Sequence, residues 1–190
     1  MNIAIRPLTP ELLADYFRFF DDVAFADHPE WSQCYCLAFH FEPSWDAEDA
    51  DRDNPWRERA VRFVRENKIR GYLAYADGNV IGWCSADDRN NYAALKRNAD
   101  LEHETSNKIK SVVCFLVAPD MRGKGIATQL LERVCADAET ESYDFIEGYP
   151  SGGDWDMYVA HHGTVALFEK CGFTLYKKFE KSCVMRKYFN

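Results

Sequence analysis

The sequence lacks a long hydrophobic run, an export signal and an excess of positive charge. No apolar run approaches the ~20 consecutive residues that a membrane-spanning helix needs. The segment MNIAIRPLTPELLADYF at the start has no basic stretch followed by an apolar core, which is the pattern of a secretory signal. The 23 Lys and Arg against 31 Asp and Glu give a net charge of −8, whereas sequence-independent nucleic-acid binding needs a basic face. We therefore expect a cytoplasmic protein without a membrane or nucleic-acid partner.

A disulfide framework is not indicated either, although the chain contains seven cysteines. An odd number of cysteines without an export signal is typical of reduced thiols. Five lie in apolar periodic segments, where cysteine behaves as a small hydrophobic residue. These five are Cys84, Cys114, Cys135, Cys171 and Cys183. Cys34 and Cys36, in the segment WSQCYC, lie outside such a pattern.

The length indicates a single domain over residues 1–190, since it suffices for one sizeable core and is short for two. Hydrophobic periodicity and turn residues predict the elements. The first half contains a strand at 2–6, a helix after Thr9, loop with short helical turns at 21–53, a helix after Asn54 and a hairpin around Asp77-Gly78. An irregular stretch follows at 87–108. The second half contains a buried strand at 110–117, a helix from about 123, a strand at 143–150, a helix at 163–171 and a final antiparallel pair. This order predicts a mixed α/β domain.

The stretch MRGKGIATQLLERV, residues 121–134, has two glycines and two cations just before an amphipathic helix. The first turn of a helix has about four backbone N–H groups without internal partners, and the helix dipole makes that end positive. Gly123 and Gly125 leave room for an anion to approach these groups, and Arg122 and Lys124 add positive charge beside them. The pattern predicts a phosphate-binding loop, with a surface turn carrying solvated cations as the alternative.

Two familiar nucleotide-binding loops do not fit this stretch. A P-loop has four residues between its first glycine and the Gly-Lys pair, and a Ser or Thr after the lysine. Here Ala118 occupies the first position and Gly125 follows Lys124. A dinucleotide loop has a third glycine where this chain has Thr128. The ligand of the loop is therefore of another kind.

The loop resembles the acyl-CoA loop of the GNAT acyltransferase family, which reads Arg/Gln-x-x-Gly-x-Gly/Ala. In RGKGIA, the three defined places are occupied by Arg122, Gly125 and Ala127. The family also has a buried strand and a Pro-Asp/Glu step before the loop, as in FLVAPDMRGKG, and a downstream helix that ends like LFEKCGF at 167–173. Both motifs occur here in the family's order of elements, over essentially the whole chain, which makes the resemblance specific.

The resemblance implies the GNAT fold, a mixed α/β fold whose central, largely antiparallel sheet contains one splayed parallel strand pair. It also implies acetyl-CoA as co-substrate. Backbone N–H groups after the motif arginine are expected to bind the CoA pyrophosphate, and the end of the preceding strand is expected to pair with the pantetheine arm. The implied binding residues are Phe115, Leu116, Val117, Arg122, Gly123, Lys124, Gly125, Ile126, Ala127 and Thr128.

The catalytic prediction is Glu147, which interrupts the apolar segment FIEGY and matches the glutamate that some family members use as general base. A carboxylate can take the proton of an attacking amine directly or through a water. The alternative is a solvent-facing residue at a strand end. Many members have a tyrosine acid where this chain has Phe168, so that acid is absent here. Tyr158, His161 or His162 are the substitutes, and a thiol leaving group can also dispense with an acid.

The segment WSQCYC resembles a W-x-x-C-x-C feature of one uncharacterised branch of GNAT proteins, in a region that borders the acceptor pocket of the fold. We interpret its cysteines as pocket packing. The alternatives are a cysteine nucleophile or a metal site of Cys34, Cys36 and His40, which lacks a fourth ligand, so that no metal is expected. Candidates for the pocket wall, each with a purely structural alternative, are Trp31, Trp83, Arg89 and Tyr92.

These features together predict an N-acetyltransferase that transfers the acetyl group of acetyl-CoA to a primary amine of a small molecule or peptide. A CoA-binding sensor or interaction module without turnover is the alternative, because the usual tyrosine is missing. We expect a monomer or homodimer. The sequence does not specify the acceptor.

Overall fold

The computed structural model describes residues 2–45, 53–99, 101, 106–150 and 161–189. Within these residues, seven strands form one sheet in the order β1-β2-β3-β4-β5-β7-β6. The strands are β1 (Ile3–Pro7), β2 (Gly71–Ala76), β3 (Asn79–Asp88), β4 (Ile109–Val117), β5 (Phe145–Gly148), β6 (Thr174–Lys178) and β7 (Cys183–Tyr188). All neighbours are antiparallel except β4 and β5, which are parallel. The predicted largely antiparallel sheet with one parallel pair is confirmed.

The helices connect the strands and cover the sheet. They are α1 (Leu13–Arg18), α2 (Pro55–Arg65), α3 (Ala93–Arg97), α4 (Ile126–Thr140) and α5 (Val165–Lys170). As its sequence predicts, α2 begins after Asn54, whose side chain accepts a hydrogen bond from the N–H of Arg57 at 3.1 Å. Gly172, with a φ of +86°, follows the end of α5. Of the helices described, none has the length and apolarity to cross a membrane.

The core lies on both faces of the sheet, and this is why β4 is buried along most of its length. On one face α4 packs against β2, β3 and β4. On the other face, aromatic rings from α1 and from the turn after it pack on β3. Rings of Tyr16, Phe20 and Trp83 have their centroids 4.5 to 6.2 Å apart. The high aromatic content of the sequence therefore fills the core.

A β-bulge in β4 coincides with the point where β4 and β5 separate. The register between β3 and β4 runs from Ala86↔Val112 to Ser85↔Cys114, so Val113 has no opposite residue on β3. An extra residue of this kind bends a strand and increases its twist. The pairing of β4 with β5 ends at Val112↔Gly148. Beyond this pair the two strands diverge, which is the splayed parallel pair that the resemblance implied.

Two features differ from the sequence prediction. The helix expected from about 123 begins at Ile126, because Gly123 and Gly125 both have a positive φ that an α-helix does not allow. The stretch at 87–108 contains the end of β3, a 3₁₀ turn and α3, which is too short to have shown a helical period. The predicted final antiparallel pair, β6 and β7, is confirmed, and β7 lies between β5 and β6.

Candidate functional site

The loop before α4 is open on the side of its glycines. Gly123 and Gly125 have φ values of +75° and +79°, in the left-handed region that glycine adopts without steric cost. A Cβ added to either one meets no atom of the described residues within 4 Å. Gly125 is the N-cap of α4, and no side chain in the described part of the chain caps this helix end. The N–H groups of the first turn are therefore accessible to an anion.

Arg122 fixes the edge of this loop against the end of β4. Its Nε donates to the carbonyl oxygen of Val117 at 3.2 Å, and its Nη2 donates to Oδ1 of Asp27 at 3.1 Å. The Arg122 guanidinium lowers the pKa of the Asp27 carboxyl. The neighbouring cation, Lys124, has its Nζ 3.6 Å from Sδ of Met121. Sequence reasoning missed Asp27, which is 95 residues from its partner.

A cavity of about 560 Å³, which we call the slot, runs from the loop along the end of β4. Of the predicted binding residues, the slot wall contains Phe115, Leu116, Val117, Arg122, Gly123 and Ala127. Ile126 is instead buried in the core, and Lys124, Gly125 and Thr128 do not line the slot. Trp31 and His28, whose rings stack at 4.2 Å, form part of the same wall. The slot therefore joins the helix start to the diverging end of β4.

Two smaller cavities follow near the point where β4 and β5 separate, the first next to the slot and the second next to the first. The first, the thiol pocket, has a volume of about 220 Å³ and is lined by Cys34, Cys36, Ala38, Phe39, Ala94, Cys114, His161 and His162. The second, the tyrosine pocket, has about 270 Å³ and includes Phe39, Asn98, Tyr149 and His162 in its wall. His161 belongs to both the slot and the thiol pocket, and His162 to both pockets. The two histidines therefore stand at the junctions.

A hydrogen bond to the backbone determines the tautomer of His162. Its Nδ1 lies 3.0 Å from the carbonyl oxygen of Val113, the bulged residue of β4. A carbonyl only accepts hydrogen bonds, so Nδ1 carries the proton and the neutral ring has its lone pair on Nε2. Burial lowers the pKa of His162, and it lowers the pKa of His161 to about 4. Both rings are neutral near pH 7, and His162 can accept a proton at Nε2.

Glu147 is 1 % exposed, so it is not the solvent-facing strand end of the alternative interpretation. Its Oε1 accepts hydrogen bonds from Nε and Nη2 of Arg186, at 2.8 and 2.7 Å. Its Oε2 lies 3.4 Å from Nη1 of Arg89. Arg186 is the residue directly opposite Glu147 in the register of β5 and β7. The carboxylate therefore forms ion pairs with two guanidinium groups.

Tyr149 links Glu147 to a cavity. Its hydroxyl donates to Oε2 of Glu147 at 2.8 Å, so the hydroxyl of Ser111, also at 2.8 Å, must donate to the Tyr149 oxygen. Burial raises the pKa of Tyr149 well above its usual value, which keeps the phenol protonated. Tyr149 lines the tyrosine pocket, whereas Glu147 lines none of the three cavities described above. That Glu147 is the general base stays a prediction, and Tyr149 is its contact with the site.

The remaining predicted residues are mostly structural. Trp83 and Tyr92 are fully buried, and Arg89 pairs with Glu147. The ring of Phe168 is also fully buried and lies where a Cβ of residue 148 would project. Phe168 thus fills the space beside Gly148.

Metal ligation has no support from the described residues. All seven cysteines are free thiols. His40 is buried, and burial lowers its pKa to about 4. No group of three or more His, Cys, Asp or Glu side chains with a metal-binding arrangement occurs in the described ranges. Tyr158 lies outside these ranges.

The model of the GNAT acetyltransferase family matches residues 28–173, which include the loop, both strands of the splayed pair and α5. The chain belongs to this family. It is therefore an acyltransferase, and the acetyl-CoA donor implied by the loop is that of its family. No curated protein has a matching sequence.

Solved structures with the same fold are distant in sequence. The PaiA N-acetyltransferase of Thermoplasma acidophilum, in complex with coenzyme A, is 15 % identical over 100 % of both chains, with a TM-score of 0.56. The Drosophila melanogaster polyamine N-acetyltransferase, which forms N-acetylagmatine, is 13 % identical over 99 % of this chain and 100 % of that one, with a TM-score of 0.57. A putative acetyltransferase of Salmonella typhimurium, with acetyl-CoA, is 15 % identical over 99 % and 94 %, with a TM-score of 0.56. At these identities the likeness establishes the fold alone.

Proposed function

We propose that the protein is an N-acetyltransferase that transfers the acetyl group of acetyl-CoA to a primary amine of a small molecule or peptide. The observation that carries this proposal is the continuous slot. It leads from an uncapped helix start with two positive-φ glycines to the point where β4 leaves β5. There it meets the thiol pocket at His161, and the thiol pocket adjoins the tyrosine pocket at His162. The helix start can bind an anion, the end of β4 can pair with an extended arm, and the thiol and tyrosine pockets can hold the reacting groups.

The donor is proposed to bind along this path in one direction. Backbone N–H groups at 123–128 bind the pyrophosphate, and Arg122 and Lys124 add positive charge at its edge. The β5-facing side of residues 113–117 lacks a strand partner within the described sheet, so its backbone groups can pair with the pantetheine arm. The thioester then lies near His161, where the slot meets the thiol pocket.

Two groups are candidates for the general base. Glu147 acts through Tyr149: the amine proton passes to the phenol oxygen as the phenol proton passes to Oε2 of Glu147. This transfer works against both ion pairs of the carboxylate. His162 is favoured by its own geometry, because Nδ1–H is fixed by Val113 and Nε2 has the lone pair. No dedicated acid is needed, since a thiolate is a good leaving group.

The test is a thiol-release assay with acetyl-CoA across a wide panel of amines. We expect turnover with at least one acceptor, whereas tight CoA binding without turnover across the panel supports the sensor alternative. Glu147→Gln and His162→Gln then distinguish the bases, because each variant keeps a hydrogen-bonding side chain that does not take a proton near neutrality. Loss of a direct base costs about 10²–10⁴-fold in turnover. If the His162 variant is unaffected and the Glu147 variant is not, the relay is supported.

The cytoplasmic location, the single domain over residues 1–190 and the monomeric or homodimeric state remain proposals. An acceptor co-purified with the protein and identified by mass spectrometry would reduce the choice of amines most directly.

A further inference from the structure

The segment that contains Trp31, Cys34 and Cys36 lies at the junction of the slot and the thiol pocket. Trp31 lines the slot, and both cysteines line the pocket. A third thiol, that of Cys114, reaches the same pocket from β4, directly after the bulge at Val113. Packing alone does not require three thiols on one wall beside the proposed thioester position.

The backbone at the second cysteine is in a conformation that side chains rarely adopt. Tyr35 and Cys36 have φ values of +40° and +54°, two consecutive residues other than glycine in the left-handed region. Such residues are strained and occur preferentially at functional sites. Two hydrogen bonds of 2.7 Å hold Tyr35 in place: its carbonyl accepts from the hydroxyl of Tyr16, and its own hydroxyl donates to Oδ1 of Asp21. The residue directly before Cys36 is therefore fixed in this conformation.

Three polar side chains act on the pKa of the Cys36 thiol. A hydrogen bond from the Cys114 thiol lowers the pKa of Cys36 despite burial, and the Trp83 indole and the Ser85 hydroxyl act in the same direction. The Trp83 N–H is fully buried and makes no hydrogen bond within the described part of the chain. The lowered pKa favours the thiolate, which is the nucleophilic form of cysteine.

The two neighbouring thiols have the opposite environment. Burial raises the pKa of Cys34 to about 12, and donation to Cys36 raises the pKa of Cys114 well above its usual value. Cys36 is therefore the thiol of this pocket that is suited to attack. His162, in the same pocket, has its lone pair on Nε2 and is the residue that can take the thiol proton.

We propose that Cys36 is a catalytic nucleophile that accepts the acetyl group before the amine does. The inference rests on the proposed acetyl transfer and specifies its route. In the first step the Cys36 proton moves to Nε2 of His162, the sulfur bonds to the thioester carbonyl carbon, and the bond from that carbon to the CoA sulfur breaks. The CoA thiolate leaves with the proton. Because one thioester replaces another, the step needs no oxidant, reductant or energy source.

In the second step the amine nitrogen bonds to the acetyl carbon of S-acetyl-Cys36, and the bond to the Cys36 sulfur breaks. The amine loses one proton, and the Cys36 thiolate takes it back through His162. The pocket supports this order, since it is reached from the slot past His161 and shares Phe39 and His162 with the tyrosine pocket, where the amine is expected.

The test is intact-protein mass spectrometry after the protein is mixed with acetyl-CoA alone and quenched with acid. We expect a mass gain of one acetyl group, released CoA in an amount equal to the protein, and peptide mapping that locates the acetyl group on Cys36. Adding an active amine to the isolated acetyl-protein should remove the group and yield acetylated amine. Locating the acetyl group in the parent protein does not depend on whether a variant folds.

Cys36→Ser should lose both the mass gain and the CoA burst, while Cys135→Ser, a buried thiol on α4 outside the pocket, should keep both. The inference is overturned if acetyl-CoA binds and no acetyl group is found on Cys36. Amine turnover in that case means direct transfer, and the proposed function stands. Absence of turnover with every amine means that the proposed function has failed as well.

Discussion

The replacement Glu147→Gln tests whether the buried carboxylate stabilises the folded protein in addition to any role in turnover. The carboxylate is the anion between Arg186 and Arg89, whose side chains are 4 % and 9 % exposed. Glutamine keeps the shape and one acceptor oxygen but removes the charge. Two buried guanidinium groups then face each other without their shared anion. The prediction is therefore a loss of stability in addition to any loss of turnover.

The magnitude follows from the contacts. Removing one partner of a buried ion pair costs about 3–5 kcal/mol, mostly because the other charge remains buried. The amide oxygen of the glutamine still accepts one hydrogen bond from Arg186, so we expect a value at the lower end, about 3 kcal/mol. For a chain of this length, each kcal/mol lowers Tm by roughly 2–4 °C. The expected decrease in Tm is thus roughly 6–12 °C.

The assay is thermal unfolding followed by circular dichroism, with Glu66→Gln as matched control. Glu66 also forms an ion pair, with Lys68 at 2.7 Å, but its side chain is 43 % exposed and that of Lys68 is 59 % exposed. Exposed pairs contribute at most about 1 kcal/mol, so the control should lose little. If Glu147→Gln unfolds at the same temperature as the parent and the control, the ion-pair reasoning is refuted. Any loss of turnover at a temperature where the variant is folded would then be chemical.

Three further predictions concern the loop, the splay and one buried histidine. Gly125→Val should abolish acetyl-CoA binding in calorimetry. The control Gly78→Val has the same backbone strain, at a φ of +81°, and open space around it, so it should bind acetyl-CoA as the parent does. Equal affinity in both variants would show that the loop is not part of the binding site. Gly148→Ala should lower the free energy of unfolding by about 1–3 kcal/mol, because the methyl group overlaps the ring of Phe168. In the control Gly82→Ala the nearest atom to the new methyl group is at 3.0 Å, so the loss of stability should be smaller. The opposite ranking in urea unfolding would contradict this packing argument. Burial lowers the pKa of His40 to about 4 from 6.5, so the unfolded chain takes up a proton at higher pH than the folded one, and stability is lost as pH falls from about 6.5 toward 4. Between pH 7 and pH 5 the parent should therefore lose about 1–2 kcal/mol more than His40→Leu, and parallel urea-unfolding profiles would exclude this cause.

The loop and the fold could be predicted because their signals are local. Arg122, Gly125 and Ala127 lie within six residues, and the positive φ of Gly125 is a requirement that glycine meets at that position itself. The strand before the loop and the helix after it have periods that can be counted along the chain. The family motif is therefore recognisable without knowledge of any distant contact.

The surroundings of Glu147 could not be predicted for the opposite reason. Its partner Arg186 is 39 residues away and becomes its neighbour only because β7 inserts between β5 and β6. The glutamate in FIEGY looks the same in the sequence whether it faces a cavity or two arginines. α3 was missed because five residues are fewer than two helical turns and show no period.

The bulge at Val113 leaves a backbone carbonyl of the sheet to be satisfied by a side chain of the candidate site. Val113 has no partner in the register with β3, and it lies just beyond the last pair of β4 with β5. A buried carbonyl without a hydrogen bond is costly, so it needs a donor from outside the sheet. His162 supplies that donor through Nδ1, and the same bond leaves the lone pair of the ring on Nε2. The irregular strand itself therefore determines the tautomer of His162. The residue that satisfies the Val113 carbonyl also presents a lone pair at the point where the two strands separate.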